Sequence, residues 1–104
     1  MYVVIRHFKV DPDMIDETAE VAKNKFLPDL VAIPGFKAYY QLHAGEDEIA
    51  SVSVFADKAG ADASERLARQ CIEEHLPDVL LEPPVTIEGD VMIEEVAESF
   101  ITRA

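Results

Sequence analysis

The sequence predicts an α+β fold in which a four-stranded antiparallel sheet carries two helices on one face. Segments with the alternation of β-strands occur near each end of the chain and as a pair in the middle, and segments with helical spacing separate them. The middle pair is joined by residues 44–47 alone, and so short a loop requires an antiparallel hairpin. The order β-α-β-β-α-β is the split βαβ arrangement, and right-handed crossovers place both helices on the same side.

The first strand is predicted over residues 2–10, where both alternating sets of side chains contain large apolar groups. Asp11 and Pro12 then begin a helix, because the carboxylate can accept from a free backbone N–H and proline at the first position loses no needed donor. The apolar residues that follow recur at steps of three and four, which predicts one stripe facing the core. Pro28 ends or kinks this helix.

Pro34 and Gly35 suit the two central positions of a type II turn, the second of which requires positive φ. The hairpin then follows, with strands over residues 36–43 and 48–56.

Asp57 is a good cap for the second helix, and Pro77 prevents that helix from continuing. Alternation resumes over residues 85–93 and predicts the fourth strand. The tail, residues 94–104, either extends that strand or makes a short helical turn. The core-facing stripe of the second helix contains Ser64, Leu67, Ala68, Cys71, Ile72, His75 and Leu76.

The third strand has no charged side chain on either face over residues 49–56. Two helices cover only one face of the sheet, so the second apolar face needs another cover. We expect a symmetric homodimer, sheet against sheet, with the chain's own tail as the alternative cover. The two sets of side chains are Ala50, Val52, Val54 and Ala56 on one face and Ile49, Ser51, Ser53 and Phe55 on the other.

Composition excludes several classes of partner and site. A net charge of −12 repels the phosphates of nucleic acids and anionic membrane surfaces, so neither is expected as a partner. Cys71 is the only cysteine and the N-terminus does not read as a signal peptide, so we expect a cytoplasmic protein. The 104 residues suit one domain, 1–104, with residues 94–104 as a C-terminal extension. Three scattered histidines without a carboxylate cluster predict no metal site.

A resemblance to a known superfamily lies in the order of elements and in two stretches, IPGFKAYYQL and SVSVFADKAGADAS. The chain resembles the dimeric α+β barrel superfamily of ferredoxin-like folds. Within it the chain is most similar to antibiotic biosynthesis monooxygenase-like domains. The resemblance implies a homodimer with a pocket between helices and sheet in each subunit. It also implies a small cofactor-independent oxygenase that acts on, or binds, a quinol- or anthrone-like aromatic.

The residues do not establish turnover, because no nucleophile motif or phosphate loop is present; the alternative is a non-catalytic homodimeric ligand-binding or structural domain. Under the oxygenase hypothesis we expect catalytic roles for His75 and Tyr40. Neighbouring strand residues face opposite sides, so at most one of Tyr39 and Tyr40 enters the pocket. The expected ligand-binding residues are Arg6, Asn24, Tyr39 and His7.

Haem-degrading relatives provide a second comparison. Their ligand histidine corresponds to His75, but their asparagine and tryptophan positions hold Arg6 and Glu65. Haem degradation is therefore not expected, and haem binding through His75 remains as an alternative. A structural role for His75 is helix capping, and Cys71 is expected to be a small buried apolar residue rather than a nucleophile.

Overall fold

The computed structural model describes residues 1–101 and confirms the predicted α+β fold. Four strands form one antiparallel sheet in the order β2-β3-β1-β4. The strands are β1 (Tyr2–Lys9), β2 (Phe36–Gly45), β3 (Glu48–Phe55) and β4 (Val85–Asp90). The helices are α1 (Ile15–Val21), α2 (Leu27–Leu30), α3 (Lys58–His75) and α4 (Glu98–Ile101).

The first helical segment begins at the predicted residue but is not one regular helix. Asp11 Oδ1 accepts from the backbone N–H of Asp13 at 2.9 Å, and a short 3₁₀ turn leads into α1. A π turn, Ala22–Phe26, then separates α1 from α2. Pro28 has no N–H to donate, and the wider turn just before it lets the chain continue as α2 instead of stopping.

The Pro34-Gly35 turn has the predicted geometry. Gly35 has φ of +85°, and the N–H of Phe36 donates to the carbonyl of Ile33 at 3.0 Å. The carbonyl of Gly35 also accepts from the N–H of Ala56 at 2.8 Å, so the turn holds β2 against the end of β3.

Substituting Gly35 by alanine should lower the free energy of unfolding by about 1–3 kcal/mol, because positive φ is strained for any residue with a Cβ. That Cβ would also lie 3.1 Å from the Cβ of Ala56. Urea unfolding measures the effect. Gly89→Ala is the control, because nothing lies within 4 Å of its added Cβ. Equal effects of the two substitutions would contradict the argument.

The side chains of the sheet separate cleanly onto two faces. On the face toward the helices, Val4, Ser53 and Phe55 are fully buried. Two apolar clusters fill this layer, one around Phe26 and Leu30 and the other around Val10, Ile15, Ile49, Leu76 and Val79.

The opposite side of the sheet, here called the open face, is apolar and largely uncovered. The strand register aligns Tyr40, Val52, Ile5 and Ile87 in one row across all four strands. Of these, Ile5 is 40% exposed and Ile87 is 66% exposed. The open face includes His7 and these apolar residues: Val3, Ile5, Tyr40, Leu42, Ala50, Val52, Val54, Val85 and Ile87.

The chain after β4 makes a short helical turn, the second of the two expected arrangements. β4 ends at Asp90 rather than at residue 93, and the N–H of Val91 donates to the carbonyl of Met1 at 2.9 Å. Within α4, Phe100 lies beside β2 and is 55% exposed. Residues 102–104 of the predicted extension lie outside the described part of the chain. Across residues 1–101, no helix is both long enough and apolar enough to cross a bilayer.

Tyr2 ties β1 to β4 through its hydroxyl, which donates to Glu88 Oε1 at 2.7 Å. This hydrogen bond, with burial and nearby acidic groups, raises the pKa of Tyr2 from 10.0 to about 12. Because the folded pKa is raised, its stabilisation is fully present below pH 10.0 and is lost as the pH rises through about 12.

The stability difference between the native protein and Tyr2→Phe should therefore be constant up to about pH 10 and then shrink toward pH 12. Urea unfolding of both proteins across this range measures the difference. A stability difference that stays constant through pH 12 would show that folding does not raise the pKa of Tyr2.

Candidate functional site

A cavity of about 60 Å³ lies between the helix side of the sheet and the helices. Strands β1, β2 and β3 form its floor, while α1, the π turn and α3 form its walls. Most of its lining is apolar. The lining residues are Arg6, Phe8, Val10, Thr18, Val21, Ala22, Phe26, Tyr39, Gln41, Ile49, Ser51, Ala68, Cys71, Ile72, Leu76, Val79 and Leu80.

The polar part of the cavity is a stripe across the sheet. Arg6, Ser51 and Gln41 are aligned in register on β1, β3 and β2, so their side chains share the helix-facing side. Tyr39 lies two residues before Gln41 on the same face. A β-bulge between Phe36 and Ala38 places both Phe36 and Tyr39 toward the helices, although they are an odd number of residues apart.

Arg6 is the most unusual group in this stripe. Its side chain is buried, and its Nη2 atom has no hydrogen-bond partner among the described residues. Within residues 1–101, no carboxylate lies within ion-pair distance of its guanidinium. Burial lowers the pKa of Arg6, while the more distant charges of Glu65 and Glu88 act in the opposite direction. An arginine stays protonated in proteins, so the cavity contains a positive charge that no carboxylate of residues 1–101 contacts directly.

Tyr39 is held in place by its neighbours. Its ring packs edge-on against Phe26 with centroids 5.7 Å apart, and its hydroxyl accepts from Gln41 Nε2 at 3.0 Å. Burial raises the pKa of Tyr39, and hydrogen bonds with Gln41 and Ser51 and the charge of Arg6 oppose that rise. The hydroxyl therefore keeps its proton near neutral pH and can donate it in a hydrogen bond to a ligand.

Cys71 lines the wall of the cavity formed by α3 and is half-buried. Burial raises the pKa of its thiol, and the charges of Glu74 and Asp29 raise it further. The thiol is therefore protonated near neutral pH.

The two residues expected to be catalytic lie outside the cavity. His75 is at the C-terminal end of α3, with Nε2 3.8 Å from Glu74 Oε2, and it does not line the cavity. Tyr40 is on the open face and is 45% exposed.

The structure brings together two of the four residues expected to bind a ligand, Arg6 and Tyr39. Asn24 is exposed on the π turn and donates to Glu20 Oε2 at 3.2 Å. His7 is on the side of β1 that belongs to the open face, with Nε2 2.9 Å from Glu48 Oε2.

Sequence reasoning assigned neither Gln41 nor Ser51 to the site. The structure places Ser51 in the cavity lining, whereas Ser53 is fully buried outside that lining with an unpartnered Oγ. Strand alternation places Gln41 on the same side of β2 as Tyr39, and this pattern could have identified the glutamine as a site residue.

The fold of this protein is similar to that of several solved structures. No protein-family model and no curated protein matches the chain. A protein of unknown function from Nitrosomonas europaea superposes with a TM-score of 0.76 at 19% identity, covering 92% of this chain and 93% of that one. A proposed antibiotic biosynthesis monooxygenase from the same organism gives a TM-score of 0.69 at 16% identity, covering 89% of this chain and 100% of that one.

A third similar structure is the monooxygenase ActVA-Orf6 of Streptomyces coelicolor, solved in complex with nanaomycin D. Its TM-score is 0.71 at 16% identity, with 92% of this chain and 91% of that one covered. Likeness at these identities establishes architecture. The chain therefore has the fold of the antibiotic biosynthesis monooxygenase-like domains, as the sequence resemblance predicted.

Proposed function

We propose that this protein binds a flat aromatic molecule carrying a phenolic or ketonic oxygen and oxidises it with O₂ without a cofactor. The observation that carries this proposal is the buried guanidinium of Arg6, whose Nη2 has no hydrogen-bond partner within residues 1–101, in a cavity whose lining is otherwise mostly apolar. An apolar wall suits a ring, and a buried cation that forms no direct ion pair within residues 1–101 suits a ligand oxygen that is, or becomes, negatively charged.

The chemistry requires charge stabilisation more than a strong base. An anthrone-like substrate reacts with O₂ through its phenolate or enolate, and its methylene is oxidised to a carbonyl with release of water. Arg6 stabilises the anion and so lowers the pKa of the bound substrate, while the Tyr39 hydroxyl donates a hydrogen bond to the same oxygen. Gln41 and Ser51 hold Tyr39 in position.

Ligand entry requires the cavity to widen. A cavity of about 150 Å³ accommodates benzene, whereas the cavity here is about 60 Å³. We infer that a ring enters when the helix walls move outward from the sheet. The irregular α1 to α2 segment, which forms one wall, is the segment most suited to such movement.

The cavity lining contains no histidine. Haem binding through His75 is therefore not part of the proposal. The S. coelicolor structure contains nanaomycin D. The aromatic ligand class proposed for the protein described here rests on the chemistry of its own cavity.

The open face supports the second part of the proposal, a homodimer formed sheet against sheet. Its apolar side chains form a continuous row across four strands, and exposed apolar areas of that kind favour association. The helix-side cavity would remain free in such a dimer.

The test is O₂ consumption with a dihydroxyanthrone, followed with an oxygen electrode and by absorbance of the quinone product. Tyr39→Phe should lower the rate, while His75→Ala and Tyr40→Phe should match the native protein. A rate equal to that of buffer would contradict the oxygenase. If the compound nevertheless bound in an Arg6-dependent manner, the ligand-binding alternative would remain.

A further inference from the structure

We propose that the cavity is also a covalent capture site for quinones, with Cys71 as the nucleophile and Arg6 as the group that activates the quinone carbonyl. The proposal rests on the proposed function for its ligand class, a flat ring that bears a carbonyl oxygen. The quinones captured are those with an unsubstituted ring carbon β to a carbonyl, such as 1,4-naphthoquinone. A lone thiol would not indicate a site, but this thiol lines the same cavity as the buried guanidinium of Arg6, whose Nη2 has no hydrogen-bond partner in the described part of the chain.

The two groups line the same cavity and share Tyr39 as a neighbour. Cys71 lies on α3 and Arg6 on β1, and both influence the hydroxyl of Tyr39, the guanidinium lowering its pKa and the thiol raising it. Cys71 also packs against the apolar cluster that includes Phe26. A ring bound over Tyr39, with a carbonyl oxygen at Arg6, would therefore present its edge to the wall that contains Cys71.

The reaction is an addition and needs no further reactant. Sγ forms a bond to the ring carbon β to the carbonyl, and the electron pair of the C=C bond moves onto the carbonyl oxygen, where Arg6 stabilises the negative charge. The thiol proton goes to this oxygen, and the ring carbon that now bears sulfur loses its own proton to the other carbonyl oxygen. The quinone becomes a hydroquinone thioether, so the ring is reduced by two electrons as the sulfur–carbon bond forms.

Two opposing effects determine the rate. The raised pKa of Cys71 leaves little thiolate near neutral pH, which slows the addition. Holding the thiol next to the ring contributes an effective concentration that reaches ~10⁵ M in well-oriented pairs. Addition should therefore occur at neutral pH and accelerate as the pH rises into the alkaline range.

The experiment uses 1,4-naphthoquinone with the full-length protein under anaerobic conditions, followed by intact mass spectrometry and peptide fragmentation. We expect a mass gain of one quinone, located at Cys71 and absent from Cys71→Ser. Arg6→Met should slow the addition about tenfold or more. The matched control is Cys71→Ser/Gln70→Cys, which places the thiol on the exposed side of α3, where Arg6→Met should have no effect.

A neutral disulfide-forming reagent, methyl methanethiosulfonate, tests whether Arg6 acts by activating the quinone carbonyl or by changing the access of reagents to Cys71. It has no carbonyl to activate, so it should modify Cys71 equally fast with and without Arg6. Absence of a Cys71 adduct while the exposed control thiol reacts would overturn the proposal, as would a quinone rate that does not depend on Arg6.

The two proposals can fail separately. Arg6-dependent capture without O₂ uptake from a dihydroxyanthrone would support capture and contradict the oxygenase. O₂ uptake without a Cys71 adduct would support the oxygenase and overturn capture.

Discussion

Replacing Arg6 by methionine should make the protein more stable and at the same time less active. The guanidinium is buried with an unpartnered Nη2, and exchange of a buried charge for an apolar group of similar volume is neutral or stabilising by about 1–4 kcal/mol. Loss of a charge that stabilises a developing anion lowers turnover by about 10²–10³ fold. Urea unfolding and O₂ uptake from a dihydroxyanthrone measure the two effects.

The control is Arg66→Met, which removes the same charge from an exposed position on α3. A surface substitution of this kind is expected to change stability by less than about 0.5 kcal/mol and to leave turnover unaltered. If Arg6→Met instead destabilised the protein by several kcal/mol, the guanidinium would have a structural role. The proposal that it binds a ligand oxygen would then lack its main observation.

A single acidic substitution on the open face should convert the proposed dimer into a monomer. Ile5 is central in the apolar row, with Val52 and Ile87 on the neighbouring strands. In Ile5→Glu the new carboxylate would be buried at the interface with a second copy and would have no ion-pair partner there. This costs about 3–5 kcal/mol, so the dissociation constant of the dimer should rise at least a hundredfold. The side chain points away from the core, so the subunit itself should fold.

Native mass spectrometry measures the assembly, and circular dichroism confirms that the subunit is folded. Ala19→Glu adds the same charge at an exposed position on α1 and should leave the dimer unchanged. A native protein that is monomeric, or an Ile5→Glu variant that remains dimeric, would show that the open face is not the interface.

Local chemistry made most of the fold predictable. Strand alternation, the glycine of the Pro34-Gly35 turn and the cap at Asp57, which accepts from Gly60 at 3.1 Å, each depend on residues close in sequence. The end of β4 depends on a distant residue. β4 stops at Asp90 because its partner strand β1 begins at Tyr2, which pairs with Asp90. The alternation of residues 85–93 alone does not indicate where the strand ends.

The site was harder to predict because it depends on which faces meet. Alternation predicted that at most one of Tyr39 and Tyr40 enters the pocket, but the choice between them required knowledge of which face the helices cover. Helical spacing placed His75 on the core-facing stripe, yet α3 ends there and Leu76, with φ of −137°, takes the buried position. Alternation could not reveal that Arg6 lacks a partner, because that depends on every element around it.

The π turn gives the cavity an unusual dependence on chain length. Ala22 and Phe26, the two ends of this turn, both line the cavity, whereas Lys23, Asn24 and Lys25 between them are exposed. Deletion of one exposed residue would restore regular helical spacing and rotate Phe26 by about 100° relative to α1, which would displace its edge contact with Tyr39. Related proteins could therefore change ligand size by gaining or losing one residue here, without altering any side chain of the cavity floor.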